Sequence, residues 1–181
     1  MTVIAGVVDG DHVYIGGDSA GISGWDLTVR KDPKVFRNGR FVMGFTTSFR
    51  MGQLLRYSLT PPEQPNGMDA HEYMSTLFVD AVRDCLKQGG YAGKENEVEH
   101  AGTFLVGFDG RLFCVNNDYQ VGEAADRINA IGCGDQVALG AMWASQKDAE
   151  GRLRDGLDAA ERFSAGVRGP FVVISTEEST P

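Results

Sequence analysis

The first eighteen residues, Met1 to Asp18, constrain this chain more than any other stretch. An apolar run from Thr2 to Val8, the turn-formers Asp9, Gly10 and Asp11, and a second apolar run from His12 to Gly17 predict a β-hairpin. Asp-Gly between β-branched residues is a strong local hairpin signal, because glycine accepts the positive φ of a tight turn. A three-residue loop, Asp9 to Asp11, would set Thr2 opposite Asp18; a two-residue loop would set Thr2 opposite Gly17, with Asp18 beside it. Either register brings a carboxylate close to the second residue.

If Met1 is removed, Thr2 carries both a hydroxyl nucleophile and an α-amine whose ordinary pKa of about 8 suits it to take the hydroxyl proton near neutral pH. A small second residue is what methionine-removing enzymes accept. Taken alone, Thr2 reads as a β-branched residue opening an edge strand.

At 181 residues the chain is expected to form one domain, 1–181, with a sizeable core. A net charge of -8 and no basic patch argue against nucleic acid or an anionic membrane as partner. The start lacks a charged leader and is interrupted too soon to span a membrane, so a cytoplasmic location is expected. Cys85, Cys114 and Cys133 show no CxxC spacing, and His12, His71 and His100 are scattered. No metal site and no cofactor are expected.

Further along, Ser19 to Asp32 reads as a long loop with a possible short strand, the kind of tethered segment on which binding surfaces are built. Lys34 to Arg37 and Arg40 to Phe45 flank Asn38-Gly39 as a second hairpin. Phe49 to Leu59 predicts a helix, stopped by Thr60-Pro61-Pro62. Asp69 is a plausible cap for a second helix whose stripe is Met74, Leu77, Phe78, Ala81, Val82 and Cys85, ending at Gly89-Gly90. Tyr91 to His100 is polar and reads as loop. A third hairpin joins Gly102–Phe108 to Arg111–Val115 through Asp109-Gly110, and a strand follows over Arg127–Ile131. Two more helices are predicted, one from Val137 with Asp135 as cap and one over Leu153–Phe163, then a strand over Gly169–Ser175 and a polar tail. Strands apolar throughout, interrupted twice by helix pairs, predict an α+β, four-layer αββα sandwich of two antiparallel sheets.

Several of these stretches together resemble the proteasome β-subunit family, and HslV-type chains in particular. They are Thr2-Val-Ile-Ala-Gly-Val, Gly16-Gly17-Asp18-Ser19, Lys34-Val35, the strand end Gly44-Phe45, and Ala130-Ile-Gly-Cys-Gly134 before a small-residue helix. The resemblance implies an N-terminal nucleophile hydrolase, a threonine-type endopeptidase with Thr2 as nucleophile, Asp18 as the orienting carboxylate and Lys34 as the cation beside the threonine. It also implies a homo-oligomeric ring fed by an ATPase unfoldase, with peptide or unfolded protein as substrate. Where the family has a glycine whose N–H faces the substrate carbonyl, this chain has Thr46-Thr47-Ser48, so Thr46 and Thr47 are the candidate oxyanion and substrate residues. Cys133 stands in the place of a serine near the threonine amine, and no aspartate is found near Phe163–Gly166 to match the one that supports the site in many subunits. The substrate side-chain pocket is expected from 20–31 and 45–52, including Arg50 and Met51. The same fold also accommodates an inactive structural ring protein or a small-molecule amidase. A cysteine hydrolase built on Cys133 and His100 has only composition to support it.

Overall fold

The computed structural model describes residues 1–91, 93–95 and 98–177. Its elements in chain order begin with β1 (Val3–Asp9), β2 (His12–Gly17), β3 (Ala20–Ser23), β4 (Asp26–Val29), β5 (Val35–Asn38) and β6 (Phe41–Phe45). Helices α1 (Phe49–Tyr57) and α2 (70–88) follow, then β7 (Gly93–Glu95), β8 (Val98–His100), β9 (Phe104–Phe108), β10 (Arg111–Val115), β11 (Val121–Glu123) and β12 (Ile128–Gly132). Helices α3 (Asp135–Ala144) and α4 (Ala149–Phe163) and strand β13 (Val172–Ser175) complete the order.

Two antiparallel sheets form the centre, one ordered β12-β1-β2-β13 and the other β11-β10-β9-β6-β5. Strand β1 shows why they stack. Val3, Ala5 and Val7 pack against Leu153, Leu157 and Ala138 of α3 and α4, whereas Ile4 and Val8 pack against Val42, Leu105 and Leu112 of the other sheet. Alternate side chains of a strand point to opposite faces, so a strand apolar at every position is buried on both. Helices α1 and α2 cover the outer face of the five-stranded sheet through Phe36, Met43, Leu55, Phe78 and Phe104. The architecture is therefore the expected αββα sandwich. Close approach of the sheets depends on Gly44 and Gly107, where a Cβ would collide with Ile4 and with Val13 and Val42.

Local registers differ from the expectation in an instructive way. In the first hairpin Asp9 pairs with His12, so the turn is Gly10-Asp11, with Gly10 at φ 55°. The glycine takes the first central position instead of the second, and Asp18 comes to lie beside Val3, to whose carbonyl its N–H donates at 3.3 Å. Gly39 behaves likewise, at φ 56° with Asn38 opposite Phe41. In the third hairpin Asp109 and Gly110 are the two central residues, at φ 51° and 68°.

Four further differences have local causes. Residues 19–32 hold the two-stranded ribbon β3–β4, and Tyr91–His100 holds β7–β8, with 92, 96 and 97 outside the described residues. Helix α2 contains a π-turn over Met74–Phe78, whose wider turn advances the stripe. Leu77 is consequently exposed, while Tyr73, Val79 and Leu86 join Met74, Phe78 and Val82 in the core. Gly134, not Asp135, is the cap of α3, and Asp135 lies inside the first turn, where its carboxylate takes the Gln136 N–H. Strand β11, too short to register as a pattern, extends the second sheet against β10. Among the described residues no helix is long and apolar enough to cross a membrane.

Candidate functional site

The start of β1, the end of β2 and the residue before β5 converge at one end of the sandwich, and they carry Thr2, Asp18 and Lys34. All three are buried, at 3%, 1% and 3% exposure. The Thr2 hydroxyl donates to Asp18 Oδ1 and accepts from Lys34 Nζ at 2.5 Å, and Lys34 Nζ also reaches Asp18 Oδ1 at 2.7 Å. A threonine oxygen thus sits between a carboxylate and an ammonium.

A buried carboxylate needs donors in place of lost water. Asp18 Oδ1 takes the Val3 N–H at 3.1 Å in addition to Thr2 and Lys34, and Oδ2 takes the N–H groups of Ala20 at 3.0 Å and Arg168 at 3.2 Å. These bonds fix the orientation of the aspartate, with Oδ1 facing Thr2. Burial pushes the Lys34 ammonium below its ordinary pKa, and the charge and hydrogen bond of Asp18 pull it part of the way back.

The group opens into a small cleft of about 90 Å³, lined by Ala20, Ile22, Phe45, Thr47 and Phe49 together with Met1, Thr2 and Lys34. Met1 is joined to the Thr2 nitrogen, and Met1 and Cys133 both lie against Gly166, where a Cβ would collide with each of them. Cys133 is exposed, and its thiol donates to the Thr2 carbonyl at 3.4 Å. It reaches the carbonyl of Thr2 rather than the nitrogen. Gly132, at φ 104°, brings that carbonyl close, since a Cβ there would strike Thr2 O.

Thr47 is at φ 65°, a conformation that suits glycine and strains a β-branched residue. The Ser48 N–H donates back to Thr46 O at 2.7 Å, closing a γ-turn around Thr47. Thr47 Oγ1 lies 3.2 Å from Thr46 Oγ1 and accepts the Thr103 N–H at 3.3 Å, which turns the side chain toward the start of β9. Both the N–H and the hydroxyl of Thr46 are spent on Thr103 O. Among the described residues the Thr47 N–H, at the edge of the cleft, has no acceptor, and neither has the Phe49 N–H that opens α1.

Arg50 and Met51 do not line the cleft. Met51 is fully buried in the core under α1, and the Arg50 guanidinium bonds Gly89 O at 3.3 Å. Successive helix residues point about 100° apart, so Phe49 faces the cleft where Arg50 and Met51 do not, with the Arg30 guanidinium 4.0 Å above its ring and paired to Asp32. His100 bonds Asn117 through Nδ1 at 3.1 Å, whereas Cys133 bonds the Thr2 carbonyl. Among the described residues no cluster of His, Cys, Asp and Glu is arranged to hold a metal. The role of Arg168 was invisible in the sequence, because the atom that matters is a main-chain N–H delivered from 150 residues away.

No protein-family model matches this chain, and no curated protein sequence matches it. Solved structures do. BPH from Thiobacillus denitrificans aligns with a TM-score of 0.80 at 23% identity, over 99% of this chain and 100% of that one. The same protein solved in complex with epoxomicin gives 0.80 at 22%, over the same shares. HslV from Trypanosoma brucei aligns at 0.68 with 20% identity, over 96% of this chain and 98% of that one. Anbu from Yersinia bercovieri aligns at 0.65 with 16% identity, over 96% and 80%. The fold is that of proteasome-like N-terminal nucleophile hydrolases.

Proposed function

We propose that this chain is a threonine-type peptidase subunit that hydrolyses peptide bonds through an acyl-enzyme on Thr2 once Met1 is removed. The observation that carries the reading is the Thr2 hydroxyl held between Asp18 and Lys34 at the floor of a cleft. While Met1 is attached the Thr2 nitrogen is an amide and has no basicity. Its removal frees an α-amine on the residue that bears the nucleophile. That amine takes the hydroxyl proton as Oγ1 attacks the substrate carbonyl, and the Lys34 ammonium stabilises the charge developing on Oγ1.

The tetrahedral oxyanion is met by the Thr47 N–H, which has no acceptor of its own among the described residues. Collapse expels the leaving amine, which takes the proton from the Thr2 ammonium and leaves an ester. Water, deprotonated by the same amine, then attacks the ester and returns Thr2. Asp18 holds Lys34 in place through the 2.7 Å contact of Oδ1 with Nζ. Cys133 supports the position of the Thr2 backbone through its carbonyl. Ala20, Ile22, Phe45 and Phe49 suit an apolar side chain next to the scissile bond.

The remainder of the reading is a homo-oligomeric ring in the cytoplasm, served by an ATPase unfoldase and taking unfolded protein. Support for it is the likeness of fold to HslV and Anbu. BPH was solved with epoxomicin, which supplies the probe. Intact-mass spectrometry with and without an epoxyketone is expected to show loss of Met1 and a single adduct, absent in Thr2→Ala. Retained Met1 with no adduct would overturn the peptidase reading and favour a structural ring protein.

A further inference from the structure

The carboxylate of Asp18 draws four of its five donors from Thr2, Val3, Ala20 and Lys34, all within the first 34 residues. The fifth, the Arg168 N–H, comes from residues 164–170, a strap between α4 and β13 that belongs to no strand. Its grip on the site has two sides. Toward the site, Ser19 N–H donates to Arg168 O at 2.8 Å and Ser19 Oγ to Pro170 O at 2.6 Å. Toward the helix, the Gly169 N–H donates to Glu161 Oε1 at 2.9 Å, and the Arg168 guanidinium lies 3.9 Å from the same oxygen. The strap also carries Gly166, against which Met1 and Cys133 rest.

Glu161 stands in the last turn of α4, where the helix dipole disfavours a negative charge. Its carboxylate is therefore not placed there to stabilise the helix. What it does is hold the residue next to the one that solvates Asp18. We propose that Glu161 is a positioning residue that fixes the strap and thereby the fifth donor to Asp18, taking the supporting place for which the sequence offers no aspartate near Phe163–Gly166. The proposal rests on the peptidase reading for its kinetic consequence and on the hydrogen bonds alone for its structural one.

Two measurements on the full chain separate these. The first is the rate of epoxyketone addition, resolved into the limiting rate and the half-saturating concentration, for the parent, Glu161→Ala and Glu161→Gln. Loss of one donor to a buried carboxylate predicts that Glu161→Ala lowers the limiting rate by about ten-fold with half-saturation within about two-fold. Glu161→Gln keeps an oxygen for the Gly169 N–H and is expected to stay within about three-fold of the parent, because the pair to Arg168 is largely exposed and weak. An unchanged rate in Glu161→Ala, or equal damage in both variants, would overturn the proposal.

The second measurement is amide hydrogen exchange. Glu161→Ala is expected to speed exchange at Arg168 and Gly169 while Ala20, the other donor to Asp18 Oδ2, stays protected. Uniform loss of protection through β1 and β2 would reduce Glu161 to a general stabiliser. If the parent protein adds no epoxyketone, the peptidase reading falls and the exchange pattern alone decides for or against the positioning role.

Discussion

The two helical layers of this sandwich are packed with different materials. Under α1 and α2 the core is aromatic: Phe41 stacks on Phe108 with ring centroids 4.5 Å apart and meets Phe78 at 5.1 Å, with Tyr73, Phe104 and Phe113 around them. Under α3 and α4 it is aliphatic and rich in alanine: Ala5, Ala130, Ala138 and Ala160 among Val3, Val7, Leu153 and Leu157, with Gly16 close under both leucines and Gly156 against α3. Aromatic rings bury large areas and hold helices off the sheet. Small residues bury less and let α4 lie close to β1 and β2, so that its last turn can hold the strap that reaches Asp18. One layer supplies stability, and the other supplies proximity to the site.

The sharpest way to break that comparison is one substitution in each layer. Phe78→Ala should cost about 3–5 kcal/mol in denaturant unfolding, by lost transfer and an unfilled cavity, while the folded protein adds epoxyketone at the parent rate. Gly16→Val should cost less, about 1–3 kcal/mol from overpacking against Leu153 and Leu157, yet slow the addition by displacing α4. If the larger stability loss also carried the larger rate loss, the division of labour between the layers would be wrong.

Between the sheets lies a third packing region, and Cys114 probes it through pH. Burial pushes its thiol up to about 11 from the ordinary 9.0. The unfolded chain then loses this proton from pH 9 upward while the folded chain keeps it, so the unfolded state binds fewer protons and stability falls as pH rises. The slope is about 1.4 kcal/mol per pH unit through that window, or roughly 2–3 kcal/mol by its top. Cys114→Val should remove that part of the alkaline loss. Lys34 works with the opposite sign, since its depressed pKa relieves a buried charge as pH rises, and it is present in both proteins, so the difference between them isolates Cys114. Equal alkaline slopes would show that the space between the sheets admits water.

These layers were legible in the sequence to unequal degrees. The hairpins were, because glycine beside Asp or Asn has few conformational uses other than a turn. Their registers were not, because Gly10 and Gly39 each serve equally well in the first or second central position, and that choice moved Asp18 from Thr2 to Val3 in the ladder. A uniform helical period puts Leu77 in the α2 stripe and leaves Leu86 out, and the π-turn breaks that period, exposing Leu77 and burying Leu86. The grouping of Thr2, Asp18 and Lys34 could be anticipated from a single hairpin and a resemblance. Glu161 could not, since its meaning lies in a main-chain N–H at Gly169 that no side-chain pattern records.

Thr47 is where the aromatic layer's sheet meets the cleft, and it gives the smallest expected effect in stability. Holding a threonine at φ 65° costs about 1–2 kcal/mol relative to an ordinary backbone conformation. Thr47→Gly would relieve that strain and would lose the contacts of Oγ1 with Thr46 and the Thr103 N–H, together worth about 1–2 kcal/mol. Gains and losses nearly cancel, so unfolding should shift by less than about 1 kcal/mol. The rate of epoxyketone addition then speaks without interference from stability. A rise means that the threonine side chain narrows the approach to Thr2. A fall means that the two contacts of Oγ1 hold the Thr47 N–H toward the cleft, and that the hydroxyl of threonine does here what conformational freedom does for glycine.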